Sequence, residues 1–128
     1  MKKKKTILVV EDEKSLRNAL ADSLSLKGFL FLEAKNGREA VEVALSSRPD
    51  LILLDLFMPE MDGMTALKKI REDAWGAEAL VVILTNLSAT DERLVEGIAL
   101  YKPLYYLIKS DWKIHDVIKK IEEIVESN

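Results

Sequence analysis

Short apolar runs, each followed by a stretch of helical spacing, divide this chain from one end to the other, and that alternation restricts the fold more than any other feature. The runs are Ile7 to Val10, Phe29 to Ala34, Leu51 to Leu54, Val81 to Leu84 and Tyr105 to Ile108. The first, third and fourth are apolar at every position, as a strand must be when its side chains alternate between two buried layers. Strands that alternate with helices, with no Gly/Ser-rich linker between them, read as βα units on a parallel sheet. The expectation is an α/β fold: a doubly wound, five-stranded parallel sheet with helices on both faces.

The intervening segments carry their own start and stop signals. Leu16, Ala19, Leu20 and Leu24 recur at helical spacing, with Asp12 or Ser15 as candidate caps and Gly28 placed to end the helix. A second helix runs from Gly37 to Ser47 with Ala40, Val43 and Ala44 inward, and Pro49 prevents its continuation. A third follows Asp62 and Gly63 and carries Met64, Leu67 and Ile70. The fourth starts near Thr90 and Asp91, presents Leu94 and Ile98, and stops before Pro103. The last has the stripe Ile114, Val117, Ile118, Ile121 and Val125, with Asp111 as its expected cap.

A length of 128 residues with 48% hydrophobic composition suits one domain with a full core. Removing Lys2 to Lys5 from the 19 basic residues leaves 15 against 22 acidic ones, so an acidic body (residues 6–128) carries a short basic tail (residues 1–5). That distribution argues against a nucleic-acid-binding face, which needs a basic stripe. Cysteine is absent, so no disulfide framework or thiolate metal site is available. The run Ile7 to Val10 is too short for a signal-peptide core, and no stretch approaches the ~20 apolar residues of a membrane span. These features lead us to expect a soluble, cytoplasmic protein with no membrane partner.

In a doubly wound sheet the functional crevice lies at the carboxyl ends of the strands. Glu11, Asp12 and Glu13 follow the first strand, Asp55 the third, Thr85 and Asn86 the fourth, and Lys109 the fifth. Carboxylates gathered on one rim repel each other, by about 4 kcal/mol per pair at 4 Å in a dielectric of about 20, so a cation belongs among them. Oxygen donors without His or Cys favour Mg2+ or a similar hard ion. The charges of Glu11, Asp12 and Asp55 then balance a divalent ion and the Lys109 ammonium. Such a pocket suits transfer of a phosphoryl group to a carboxylate, with Thr85 donating a hydroxyl hydrogen bond. Taken singly, each residue has a plainer reading: Asp55 as a turn former, Asp12 as a helix cap, Thr85 and Lys109 as loop residues. The case rests on four strand ends each supplying the right chemical type.

The chain resembles the receiver domains of bacterial two-component response regulators. Ile7-Leu-Val-Val-Glu-Asp-Glu13 is similar to the family's first strand and acidic pair, and Leu51 to Gly63 to its phosphorylation segment, with Asp55, Pro59 and Gly63 in the motif positions. Ile83-Leu-Thr85 matches the strand ending in the switch Thr or Ser, and Tyr106-Leu-Ile-Lys109 the last strand with its switch aromatic and Lys. The resemblance implies a flavodoxin-like strand order 2-1-3-4-5 with five helices. It implies a stand-alone, chemotaxis-regulator-like receiver that takes phosphate on Asp55 from a histidine kinase, a phosphotransfer protein or a small phosphodonor. Mg2+ would be held by Glu11, Asp12, Asp55 and the Phe57 backbone carbonyl. Thr85 and Tyr106, expected at neighbouring positions of adjacent strands, would act as the switch. Output would pass to a downstream protein through the face of the fourth helix, fifth strand and fifth helix. Catalysis would be limited to the protein's own phosphorylation and slow dephosphorylation, the latter tuned by Phe57 and Leu87.

Departures from the family pattern are Ser110 in place of Pro after Lys109, Asn86 where many relatives have Ala, and Lys102-Pro103 before the last strand. Without Pro, a cis bond after Lys109 costs about 2.5 to 4 kcal/mol, so a trans bond and a different path into the last helix are expected. Trp75 and Trp112 read as packing residues and His115 as a surface residue. Two other functions compete: an unphosphorylated pseudo-receiver binding module, and a metal-dependent phosphatase. The complete set of Glu11, Asp12, Asp55, Thr85 and Lys109 argues against the first, and Phe57, standing where such phosphatases place an acid, against the second.

Overall fold

The computed structural model describes residues 3–58, 60–88 and 90–127. In chain order the elements are β1 (Thr6–Val10), α1 (Lys14–Leu26), β2 (Leu30–Ala34), α2 (Gly37–Ser47), β3 (Leu51–Leu54), α3 (Gly63–Glu72), β4 (Val81–Thr85), α4 (Glu92–Tyr101), β5 (Tyr105–Ile108) and α5 (Ile114–Ser127), with 3-10 turns at Gly76–Glu78 and Lys109–Asp111. All strand pairings are parallel, and the order across the sheet is β2-β1-β3-β4-β5. This is the doubly wound, flavodoxin-like arrangement expected. Lys3, Lys4 and Lys5 are exposed ahead of β1. Met1 and Lys2 of the basic tail, and Pro59 of the phosphorylation-like segment, lie outside the described residues.

The three wholly apolar runs are the three central strands, and their alternation divides the core in two. Leu8, Val10, Ile52, Leu54, Val81 and Ile83 face the layer completed by α2, α3 and α4, where Ala40, Ala44, Leu67, Ile70 and Leu94 are buried. Ile7, Val9, Leu51, Leu53, Val82 and Leu84 face α1 and α5, with Leu20, Leu24, Val117 and Ile121. Fully burying one such aliphatic side chain is worth about 1.5–3 kcal/mol, so the central strands anchor both layers. The edge strands are less covered: Leu30 and Phe31 of β2 and Tyr105 and Tyr106 of β5 are exposed. Trp75 packs against the first layer and Trp112 against the second, while His115 is exposed.

The helix ends correct some expectations. Gly28, at φ 88°, closes α1: its N–H donates to Ser25 O, and the Phe29 N–H reaches back to Leu24 O, the paired bonds of a left-handed glycine stop. Neither Asp12 nor Ser15 caps the start of α1; Glu13 occupies that position without a side-chain cap bond. In α4 the cap is Asp91, whose carboxylate accepts from the Arg93 N–H at 2.9 Å. Asp111 does not cap α5, because the chain after β5 makes a 3-10 turn through Lys109–Asp111 before the helix begins at Ile114. The Asp116 carboxylate, inside the first turn, accepts from the Lys113 N–H instead. The Lys109–Ser110 bond is trans.

Candidate functional site

Parallel register brings the strand ends onto one rim. Val10 pairs with Leu54, and the Asp55 N–H donates to Val10 O at 3.0 Å, so Glu11 and Asp55 leave adjacent strands side by side. Thr85, the last residue of β4, pairs with Ile108, which delivers Lys109 one residue further on. Gly63 lets the loop after β3 close tightly: its N–H donates to Leu56 O at 3.0 Å, and a Cβ there would collide with the backbone carbonyl of Asp55.

The centre of the rim is a shared cation contact. Lys109 Nζ lies 2.7 Å from Glu11 Oε1 and 3.2 Å from Asp55 Oδ2. Glu11 is 2% exposed and Asp55 4%, so both carboxylates are withdrawn from water. Glu11 Oε2 accepts from the Glu13 N–H at 3.1 Å, and Asp55 Oδ1 from the Phe57 N–H at 3.3 Å. Burial raises the Glu11 pKa to about 7, with the Lys109 hydrogen bond opposing and the Asp55 charge assisting. For Lys109, burial works downward, but the hydrogen bond to Glu11 and the two carboxylate charges outweigh it and leave its pKa raised.

Glu11, Asp12 and Asp55 each offer a carboxylate oxygen, and the three oxygens lie within 4.8 Å of one another. Two are buried and Asp12 is exposed, so the set opens to solvent on one side. This all-oxygen donor set fits a hard divalent ion that keeps several waters. Phe57, whose carbonyl was expected to complete the set, is tied to Asp55 through its N–H.

Thr85 is fully buried, and its Oγ1 accepts from the Leu87 N–H at 3.2 Å. Phe57 and Leu87 thus stand in matching positions, each with a backbone N–H bonded to the side chain two residues earlier. Both line a cleft of about 410 Å³ between α3 and α4. Leu87 is buried, whereas Phe57 is 47% exposed. Tyr106 lies on the strand adjacent to Thr85, but it pairs with Ile83, so it sits two positions lower rather than directly beside it. Its ring is exposed. Reading strand ends alone missed Arg17, which donates to Glu11 O at 2.9 Å, and Arg93, which stands over the Phe57 ring. No spacing signal marks either, because both reach the rim from helices.

The chain is similar to known proteins over most of its length. The response regulator receiver domain model matches residues 7–122. A protein-glutamate methylesterase/protein-glutamine glutaminase of Archaeoglobus fulgidus is 39% identical over 120 residues, which are 93% of this chain and 34% of that protein. The chain spans about a third to a half of the length of the curated relatives it matches. Among solved structures, the receiver domain of a Pseudomonas aeruginosa sensor histidine kinase, with magnesium coordinated in its active-site cleft, is 25% identical with a TM-score of 0.84 over 97% of this chain and 99% of that one. A CheY-like receiver domain protein of Methanospirillum hungatei shares the fold with a TM-score of 0.87 at 21% identity, over 98% and 96% of the two chains. Because the family model matches nearly the whole chain, and the fold and the relatives agree with it, this chain belongs to the response regulator receiver domain family.

Proposed function

We propose that this receiver domain accepts a phosphoryl group on Asp55 from a histidine kinase or phosphotransfer protein, and passes the signal to a downstream protein. The observation that carries the reading is Lys109 bridging Glu11 and Asp55 on a rim that also offers Asp12. A buried carboxylate backed by a fixed ammonium is a nucleophile whose product charge is already compensated.

In the transfer, a carboxylate oxygen of Asp55 bonds to phosphorus as the bond from phosphorus to the donor nitrogen or oxygen breaks, and the donor leaves with that electron pair. Glu11, Asp12, Asp55 and the Phe57 carbonyl would hold Mg2+, which supplies charge neutralisation on the transferred oxygens. Lys109 compensates charge on the phosphoryl oxygens, and the Thr85 hydroxyl, released from the Leu87 N–H, donates to one of them. Thr85 and Tyr106 act as the switch. Output uses the α4–β5–α5 face, where Val95, Leu104, Tyr105 and Tyr106 are exposed and Lys120 Nζ stands 4.4 Å from the Tyr105 ring centroid.

Incubation with a small phosphodonor and Mg2+, followed by intact mass measurement, tests the reading. One phosphoryl adduct is expected on the wild type and none on Asp55→Asn. An adduct of equal yield on the variant would place the chemistry elsewhere, and rapid turnover without an adduct would favour a phosphatase.

A further inference from the structure

Two side chains outside the acceptor and cation sets meet beside the acceptor turn. The Arg93 guanidinium lies 4.9 Å from the centroid of the Phe57 ring. Arg93 is 65% exposed, yet it is held in place: Nε donates to Asp91 Oδ1 at 3.2 Å and Nη2 to Asp91 Oδ2 at 3.0 Å, a two-pronged grip on a carboxylate. Asp91 is itself fixed as the N-cap of α4, and the charge of Asp62, the N-cap of α3, also attracts Arg93. On the other side, the Phe57 N–H is bonded to Asp55 Oδ1. A continuous set of contacts therefore joins the start of α4 to the acceptor carboxylate through one aromatic residue.

Burial does not order the Phe57 ring, since nearly half of it faces solvent. A tethered planar cation on its face does, because the ring's quadrupole favours one stacked arrangement over the other rotamers. From this geometry we infer that Arg93 is a positioning residue for the acceptor site: it holds the Phe57 ring in the cleft that Leu87 also lines, and so limits the access of water to a phosphorylated Asp55. The inference rests on the reading of Asp55 as the acceptor. A freed ring opens the approach that an in-line water needs, and hydrolysis of the acyl phosphate quickens.

The test pairs two readouts. In the unphosphorylated protein, 13C-labelled phenylalanine gives only three ring signals to assign, those of Phe29, Phe31 and Phe57. Arg93→Ala should shift and narrow the Phe57 signals alone, and Arg93→Lys, which keeps a cation but loses the two-pronged grip, should fall between. In the phosphorylated protein, Arg93→Ala should speed decay of the adduct by about two- to fivefold, the span that one exposed cation–ring contact provides. Adding it to Phe57→Ala should bring no further increase, which a merely structural role of Arg93 would not produce. The Asp91 cap accepts from the Arg93 backbone N–H, so these variants keep the start of α4. Unchanged Phe57 signals in Arg93→Ala, or the same acceleration in the Phe57→Ala background, would overturn the proposal. If wild type takes no adduct, the acceptor reading has failed, and the ring signals still decide whether Arg93 holds Phe57.

Discussion

Lys109 makes its shorter ion pair with Glu11, at 2.7 Å, and its longer one, at 3.2 Å, with Asp55. The ammonium thus serves first as the counter-ion of Glu11 and second as that of Asp55. Removing it leaves two buried carboxylates facing each other without compensation, which costs about 3–5 kcal/mol when one member of a buried pair is deleted. Glu11, whose pKa is already raised to about 7, offsets part of this by holding its proton, so Lys109→Met should lose stability up to that bound in urea unfolding without divalent ions, most at pH 8 and above, and Mg2+ should restore part of it. An unchanged midpoint would show that the contact is not formed in solution.

The raised pKa of Glu11 gives the metal-free protein an unusual pH dependence. Its carboxyl titrates near 4.5 when unfolded and at about 7 when folded, so within that window the folded state holds a proton that the unfolded chain has released. Stability therefore falls as pH rises from 4.5 to 7, by at most about 1.4 kcal/mol per unit. Mg2+ favours the ionised form and should flatten or reverse the slope. Thermal melts at pH 5 and pH 7.5, with and without Mg2+, check both signs.

Asp12 separates cation binding from folding. It is the exposed member of the carboxylate set, so its repulsion of Glu11 and Asp55 is screened by solvent. Asp12→Ala should raise metal-free stability by no more than about 1 kcal/mol while clearly weakening Mg2+ binding. A titration followed by NMR shifts of the rim amides, with equal affinity in both proteins, would remove Asp12 from the cation site.

What was legible in the chain follows from physics that acts locally. Burial on both faces forces continuous apolar runs, so β1, β3 and β4 and their shared carboxyl edge could be read directly, and with them Glu11, Asp55 and Thr85; Lys109 follows the edge strand β5. Gly28 announced the end of α1 because a left-handed stop strongly favours glycine. The start of α1 and the approach to α5 were not legible, because Asp12 and Asp111 are good capping types whose positions were claimed by the rim and by a 3-10 turn. Nor was Arg71 readable: it donates to the carbonyls of Gly76, Ala79, Tyr101 and Lys102, joining the ends of α3 and α4 through contacts that leave no periodic trace.

The switch prediction takes its geometry from the sheet. Thr85 and Ile108 are partners, as are Ile83 and Tyr106, so Thr85 and Tyr106 fall on the same face two positions apart. Thr85 Oγ1 accepts from the Leu87 N–H and the Tyr106 ring is exposed; we propose that Thr85, in turning toward a phosphoryl group, lets Tyr106 move inward. A phosphoryl group shifts this equilibrium only through differential contacts, so beryllium fluoride should bury Tyr106 in wild type and markedly less in Thr85→Ala. Tyr106 equally exposed in both bound structures would count against the coupling.

We propose that the lifetime of an Asp55 adduct is set by Phe57 and Leu87, whose backbones bond to Asp55 and Thr85. The Phe57 N–H donates to Asp55 Oδ1 and the Leu87 N–H to Thr85 Oγ1, so both side chains start from fixed points beside the reacting group and line the same cleft. Hydrolysis needs a water in line behind phosphorus, and neither an aromatic ring nor an isobutyl group offers it a hydrogen bond. Slow self-dephosphorylation is therefore the expected outcome. Phe57→Asn with Leu87→Glu supplies two polar groups there; a positioned water contact is worth on the order of 1 to 3 kcal/mol, or about one to two decades in rate. Leu87 is only 7% exposed, but the cleft beside it gives a longer polar side chain room to reach water. The double variant should thus take phosphate on the same residue and lose it about 10- to 100-fold faster after donor removal. Decay no faster than wild type, in a variant whose mass still reports one adduct at Asp55, would show that this pair does not govern the access of water.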